Sequence, residues 1–371
     1  MKYLISGGGT GGHIYPALAI LDEIKTKDPE AEFLYVGRRQ GLEKELAQRA
    51  GYAYKAVRIK GLPRRLNLDS LKTAIALFQG IHDARKIIKD FKPDIVIGTG
   101  GYVSFPAVFV AQQKGIPTVL QEANAFPGKV NRILSKKADG IALAFEEAKN
   151  RLKSADKAFI SGNPIRPEFL SVDKKSARQK FSIKEGEKLI LSFGGSGGQE
   201  SINDALIEIF QKPLKEDYRF IHITGRDYYQ EFLDQIKEKN IKLTDQVTIL
   251  DYSHQIPDLL GAADVAILSS SAISLAEVAC VGLASILIPK TYTADNHQEY
   301  NARAFESAGA SLLILEKDLN GQKLIQAISS IVDDQEKMQK MAKCAKILSK
   351  PNSTKDIVEN IFRLLREKND R

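Results

Sequence analysis

The residues best equipped for chemistry crowd into one stretch, Asp264 to Ala302. Ser269-Ser270-Ser271 precedes an apolar run, and Ser271 or Ser270 is placed to cap a helix reaching about Cys280. The N–H groups and positive dipole end of such a helix start suit a phosphate. Glu277, roughly a turn and a half further on, suits two adjacent hydroxyls, as on a ribose. The loop beyond carries Thr291, Asp295, Asn296, His297 and Gln298, and His297 with Gln298 offers the mixed donors and acceptors of a sugar site. The stretch points to a nucleotide-sugar pocket. The plainer alternative is a capping serine run, a surface glutamate and a polar loop.

A second cluster sits at the N-terminus. Gly7, Gly9 and Gly12 satisfy G-x-G-x-x-G after an apolar strand, and His13 is the only titratable side chain in that turn. Glycines let the backbone approach a ligand closely, and an imidazole there fits a general base near neutral pH. The acid that a dinucleotide fold places at the end of its second strand is missing, and Gly37-Arg38-Arg39 stands there instead. Arginines suit a 2′-phosphate, so an NADP oxidoreductase competes with the sugar-nucleotide reading. The sequence has no D-x-D pair and no His/Cys cluster at ligand spacing, so no structural metal site is expected.

These groups must be held by alternating strands and helices. Asp264–Ser269, a helix, then Ala284–Ile288 ending at Pro289 form one βαβ unit. Upstream, the pattern predicts strands at Lys2–Ser6, Glu32–Val36, Asp94–Gly98 and Pro117–Leu120. Helices are expected from near Pro16, over Leu42–Ala50 and over Asp69–Asp90. Strands separated by helices throughout mean a doubly wound parallel sheet. Gly162-Asn-Pro-Ile-Arg-Pro167 closes strand Ala158–Ile160 with breakers, and then the pattern restarts: Gly194-Gly-Ser-Gly-Gly198 repeats Gly8-Gly-Thr-Gly-Gly12 after strand Leu189–Phe193. The expected division is 1–163 and 164–352, with a C-terminal helix at about 353–371 crossing back to the first domain and the two domains facing a cleft.

The bulk numbers agree with an ordinary globular chain of about two domains: 371 residues, 43% hydrophobic and 27% charged. Cys280 and Cys344 show no ligand or redox spacing, which suits reduced cytosolic thiols. No apolar run approaches a membrane span, and the first residues do not read as a signal peptide. The net charge of +8 is uneven, about +10 over 1–163 and −2 beyond, so the first half faces something anionic.

With these residues in view the chain resembles the MurG family of GT-B glycosyltransferases, peripheral membrane enzymes that add N-acetylglucosamine to lipid I. The motifs carrying the likeness span the whole chain: Gly8-Gly-Thr-Gly-Gly-His13, Gly100-Gly-Tyr-Val-Ser104, Gly162-Asn-Pro-Ile-Arg166, Gly194-Gly-Ser196 and Asp295-Asn-His-Gln298 with Asn301-Ala302. The resemblance implies two Rossmann-like domains and an inverting transfer from UDP-N-acetylglucosamine (UDP-GlcNAc), a substrate rather than a cofactor, with no cofactor expected. The acceptor is the muramyl 4-OH of an undecaprenyl-diphosphate-linked muramoyl peptide, met at the cytoplasmic face of an anionic membrane, and nucleic acid is not an expected partner. His13 matches the family's base, and Thr10, Gly11 and Gly12 the turn near donor and acceptor. Asn124 and Arg166 match cleft residues, and Ser196 a contact to the donor diphosphate. Tyr252 and Ser253 match the uracil site, Ala272 and Ile273 the helix start at the phosphates, Glu277 the ribose ligand, and His297 with Gln298 the N-acetylglucosamine contacts. Ser269-Ser270-Ser271 departs from relatives that carry Arg and Gly there, Ala123 stands where Gln is usual, Phe105 where Gly is common and Gln199 where Ala is typical. A sugar-nucleotide epimerase of similar fold is the remaining rival, beside the oxidoreductase.

A membrane-facing surface is expected on the helix Asp69–Asp90, which has two apolar stripes, Leu71-Ile75-Phe78 and Leu77-Ile81-Ala84-Ile88. A helix on a sheet needs one, so the other is spare. Leu62, Arg64, Arg65 and Leu66 precede it, and Lys55, Arg58, Lys60 and Lys72 add charge, a mixture suited to anionic headgroups.

Overall fold

The computed structural model describes residues 1–61, 68–195 and 197–369. The chain divides into two compact units, Met1–Ile165 with Lys350–Arg371, and Arg166–Ser349.

In the first unit seven parallel strands, β1 (Lys2–Gly7), β2 (Glu32–Arg38), β3 (Ala53–Val57), β4 (Ile95–Gly100), β5 (Thr118–Glu122), β6 (Gly140–Leu143) and β7 (Ala158–Ile160), lie in the order β3-β2-β1-β4-β5-β6-β7. The helices α1 (Gly11–Lys27), α2 (Leu42–Arg49), α3 (Leu68–Phe91), α4 (Phe105–Gln113) and α5 (Lys129–Leu134) connect them. Alternation along the strands sends Leu4, Val36, Val96 and Leu120 to a core with Ala84 and Ile88 of α3 and Ala107 and Val108 of α4. Tyr3, Ile5, Ile97 and Val119 point the other way, onto Ile20 and Ile24 of α1 and onto Ile357, Val358 and Ile361 of the C-terminal helix Ser353–Asn369. Both faces are therefore covered, which is why the strands read as continuous apolar runs.

The second unit has β8 (Lys188–Phe193), β9 (Tyr218–Ile223), β10 (Val247–Leu250), β11 (Val265–Leu268), β12 (Ala284–Leu287) and β13 (Ser311–Leu313) in the parallel order β10-β9-β8-β11-β12-β13. Its helices are α6 (Lys174–Lys180), α7 (Glu200–Phe210), α8 (Tyr229–Glu238), α9 (Ile256–Ala262), α10 (Ala272–Val281), α11 (His297–Ser307), α12 (Gly321–Val332) and α13 (Gln335–Leu348).

Each sheet reverses its winding once, between β1 and β4 and between β8 and β11. Ligands of open α/β sheets bind beyond the carboxyl ends of the strands at such a point. In the first unit that brings the turn after β1 beside the loop after β4, Gly7 pairing with Gly100. In the second it brings the turn after β8 beside the serines after β11, Leu268 pairing with Phe193.

Two sequence expectations need correction. α1 begins at Gly11, not near Pro16, so Pro16 lies inside it and Gly11-Gly12-His13 forms the first turn. First-turn N–H groups need no intrahelical acceptor, so glycine is tolerated there despite its low propensity. β5 extends past Leu120 to Glu122, because the polar pair Gln121-Glu122 is buried and paired with β6.

Candidate functional site

In the first unit the glycine turn delivers His13 to the carboxyl ends of β1 and β4. Its half-buried imidazole lies with Nδ1 3.2 Å from the Gly8 carbonyl and 3.2 Å from the Thr10 hydroxyl. A carbonyl only accepts, so the Gly8 contact puts the proton on Nδ1 and the lone pair on Nε2. The Thr99 hydroxyl donates to the His13 carbonyl at 2.7 Å, tying the helix start to the end of β4. Gly100 and Gly101 pass directly over the ring, with φ of +102° and +72°. A Cβ on Gly100 would lie 2.7 Å from the imidazole Cδ2, and one on Gly101 2.3 Å from the Gly8 oxygen. Only glycine fits at either position.

Thr10 is the N-cap of α1, and Gly11 and Gly12 are its first residues. Asn124 lies beyond β5, two strands from β1 in the sheet. Its backbone N–H and side-chain amide donate to Glu122 Oε1 at 2.9 and 3.3 Å. Glu122 Oε2 accepts from the Gly128 N–H and the Asn131 amide, both at 2.9 Å. Burial pushes the Glu122 carboxyl above its ordinary range, against the pull of these hydrogen bonds. Glu122 thus shapes the loop that presents Asn124. Sequence reasoning named Asn124 and missed Glu122, whose one signal is a charged residue closing an apolar buried strand.

Arg38, a candidate for a 2′-phosphate, is engaged elsewhere. Its Nε and Nη2 fork onto the buried Glu43 carboxylate at 2.8 and 3.2 Å, and its Nη1 donates to the Tyr102 hydroxyl at 3.0 Å. That pairing takes Arg38, one of the two arginines behind the NADP reading, out of that role.

In the second unit Ser271 caps α10, its hydroxyl accepting from the Ser274 N–H, so Ala272 and Ile273 open the helix as expected. Ser270 instead donates to the Gln298 carbonyl at 2.8 Å, and the Asn301 amide donates to the Ser270 carbonyl at 3.2 Å. The Gln298 side chain accepts from the Lys290 N–H at 3.0 Å, which brings the loop after β12 onto the serine turn. His297 opens α11 with Nδ1 2.8 Å from the Ala294 carbonyl. Glu277 is only 8% exposed, and Arg166 Nη2 lies 3.5 Å from its Oε1. Burial pushes the Glu277 carboxyl up to about 7, with Arg166 opposing the rise.

Two further groups were missed by sequence reasoning. Glu316 accepts from the Thr291 N–H and hydroxyl at 2.7 Å each, and from Ser201 and Gln199 side chains at 2.8 Å each. Lys290 Nζ donates to the Gly198 carbonyl at 2.6 Å. Together they join the loop after β12 to the start of α7. Tyr252 and Ser253 follow β10, the edge strand, three strand spacings or about 14 Å from β11. The Arg226 guanidinium stacks 4.5 Å over the Tyr252 ring. Ser196 lies outside the described residues. Among the described residues no group of His, Cys, Asp or Glu is arranged to hold a metal ion.

The comparisons with known proteins agree with the division into two parallel-sheet units. Residues 3–143 match the glycosyltransferase family 28 N-terminal domain and residues 189–361 its C-terminal domain. A UDP-N-acetylglucosamine–N-acetylmuramyl-(pentapeptide) pyrophosphoryl-undecaprenol N-acetylglucosamine transferase of Clostridioides difficile is 43% identical, over 98% of this chain and 89% of its own. One from a Thermoanaerobacter species is 44% identical over 99% of both. Among solved structures, Acinetobacter baumannii MurG superposes with a TM-score of 0.78 at 22% identity, covering 98% of this chain and 100% of its own. A Neisseria meningitidis UDP-GlcNAc 2-epimerase gives 0.67 at 20% over the same shares, a likeness of fold alone.

Proposed function

The chain belongs to the family of UDP-N-acetylglucosamine–N-acetylmuramyl-(pentapeptide) pyrophosphoryl-undecaprenol N-acetylglucosamine transferases, and from that membership we propose how its own residues carry the reaction. It is a UDP-GlcNAc-dependent N-acetylglucosaminyltransferase that converts lipid I into lipid II. The epimerase reading is set aside.

His13 is the general base. The observation that carries this assignment is the Gly8 carbonyl on Nδ1, which leaves the basic lone pair on Nε2. The muramyl 4-OH gives its proton to Nε2 as its oxygen attacks the anomeric carbon. The bond from that carbon to the diphosphate oxygen breaks, and UDP leaves with the electron pair from the opposite face, inverting the centre. The first turn of α10 at Ala272 and Ile273 meets the departing charge, and the Arg166 guanidinium adds to it. No cofactor is assigned a role in this step. Glu277 takes the ribose diol, Tyr252 and Ser253 the uracil, and Gln298 with His297 the sugar. Thr10, Gly11, Gly12 and Asn124 line the acceptor side.

The acceptor is anchored in lipid, so the enzyme meets it at a membrane. No helix among the described residues is long and apolar enough to cross one. On α3, Ala84 and Ile88 are buried, while Leu71, Ile75 and Phe78 are 65%, 49% and 74% exposed. Between α3 and α4 a groove of about 550 Å³ is lined by His82, Arg85, Lys86, Lys89 and Lys114. This apolar stripe beside a basic groove is the docking surface for anionic lipid at the cytoplasmic face. Leu62, Arg64, Arg65 and Leu66, expected to contribute, lie outside the described residues.

The test incubates the enzyme with UDP-GlcNAc alone and with lipid acceptor. UDP released only when acceptor is present, with the donor sugar's configuration intact, is the expected result. Epimerised sugar without acceptor would overturn the reading.

A further inference from the structure

The first unit holds an ion pair directly behind the glycine turn. Glu43 has no exposed side-chain surface and Arg38 is about a quarter exposed. The Glu43 carboxyl occupies space that three glycines leave open. A Cβ on Gly8 would lie 2.8 Å from its Cδ, one on Gly37 2.7 Å from its Cγ, and one on Gly41 2.6 Å from Oε2. Burial alone would raise the Glu43 carboxyl, but the Arg38 fork and backbone N–H groups reverse this and hold it below its ordinary value. The pair is therefore charged, buried and fixed, with Arg38 also anchored through its own carbonyl, which accepts from Tyr54 at 2.6 Å.

The third contact of Arg38 gives the pair a use. Nη1 donates to the Tyr102 hydroxyl at 3.0 Å, and the guanidinium lies 5.9 Å over that ring. Tyr102 immediately follows Gly100-Gly101, the backbone that covers the His13 ring. Glu43 lies under Gly8, whose carbonyl holds His13 Nδ1. One guanidinium thus joins the two walls of the imidazole's socket, the turn after β1 and the loop after β4. We propose that Arg38, paired with Glu43, is a positioning residue that clamps these two walls and thereby fixes the Nδ1–H tautomer of His13. The proposal rests on the reading of His13 as the base.

The clamp acts by geometry. Free imidazole favours the Nε2–H form, in which Nε2 is no base. A socket loosened by a fraction of an ångström lets Nδ1 slip from the Gly8 carbonyl, and lost alignment of this kind costs roughly 10- to 100-fold in turnover. Lysine cannot reproduce a fork onto a carboxylate together with a third bond to a phenol.

The test uses the full chain, ¹⁵N-labelled, with Arg38→Lys, Tyr102→Phe and, for assignment, His13→Gln. Imidazole nitrogen spectra of the wild type should show Nδ1 protonated and Nε2 bare. Both clamp variants should move toward the Nε2–H form and lose roughly 10- to 100-fold in kcat, with UDP affinity within about twofold of wild type. Should Arg38→Lys fail to fold, Tyr102→Phe decides alone, since it leaves the buried pair intact. An unchanged tautomer in Tyr102→Phe overturns the proposal, whether turnover falls or not. A shifted tautomer with turnover intact upholds the clamp and instead overturns His13 as base, which His13→Gln checks independently.

Discussion

Donor binding should depend on pH through Glu277. Its carboxyl is raised to about 7 by burial, so near neutrality it is half protonated in the free enzyme. A ribose diol donates hydrogen bonds and needs the carboxylate. Below pH 7 binding must first expel a proton, at about 1.4 kcal/mol, or tenfold in affinity, per pH unit. Between pH 8 and pH 6 the ionised fraction falls from about 0.9 to about 0.1, so the Kd for UDP-GlcNAc should rise about tenfold. The diphosphate of UDP-GlcNAc is a diester and stays ionised over this range, so its phosphates do not contribute the dependence. Glu277→Gln should bind more weakly and show a flat profile by calorimetry. The same shift has a stability side. A carboxyl whose folded pKa is raised favours the fold fully below its ordinary value near 4.5, and that advantage is lost as pH rises through 7. Glu277→Gln should therefore be more stable than wild type at pH 8, by up to about 3 kcal/mol, and unfold at a higher temperature. A wild-type Kd equal at pH 6 and pH 8, or a Gln variant that follows the same curve, refutes the assignment.

Three other outcomes are expected. His13→Ala should lower kcat by about 10²–10⁴ with UDP affinity little changed, measured at saturating substrates. Sedimentation with anionic vesicles should show salt-sensitive binding that Phe78→Ser combined with Arg85→Glu weakens, with donor affinity spared; equal binding would place the docking surface elsewhere. His222, fully buried beside Ser192 at 2.9 Å, is depressed to about 3 by burial. Its neutral form supports the fold above pH 6.5 and that support is lost as pH falls toward 3. His222→Phe with Ser192→Ala should flatten the decline of melting temperature between about pH 6.5 and 5.

The second unit's βαβ stretch was readable because its signals are local. Val265–Leu268 and Ala284–Leu287 are apolar runs, Ser271 is an N-cap residue type, and Gly282 ends the helix in the left-handed region. The start of α1 was not readable, since it depends on Thr99, 86 residues away, holding the His13 carbonyl. Glu122 and Glu316 share this obscurity. Periodicity marks which face of an element is apolar, but not which distant N–H groups a carboxylate will gather. Arg38 looked like a phosphate ligand because its partner Glu43 approaches from behind the turn, through space left by glycines that also carry the motif. The glycine pattern therefore encoded two things at once, and only one was visible.

The first unit is not a continuous piece of chain. One face of its sheet is closed by Ile357, Val358 and Ile361, and Phe362 meets Tyr3 edge-on at 6.4 Å. Those residues leave the ribosome only after the whole of the second unit, Arg166–Ser349. At 5–20 residues per second, Tyr3 and the β6 end of that face wait on the order of 10–40 s after residue 165 for this part of their cover. During that interval the nascent unit is a half-coated sheet, so it is a natural client for chaperones, and its completion reports that the intervening second unit has been synthesised.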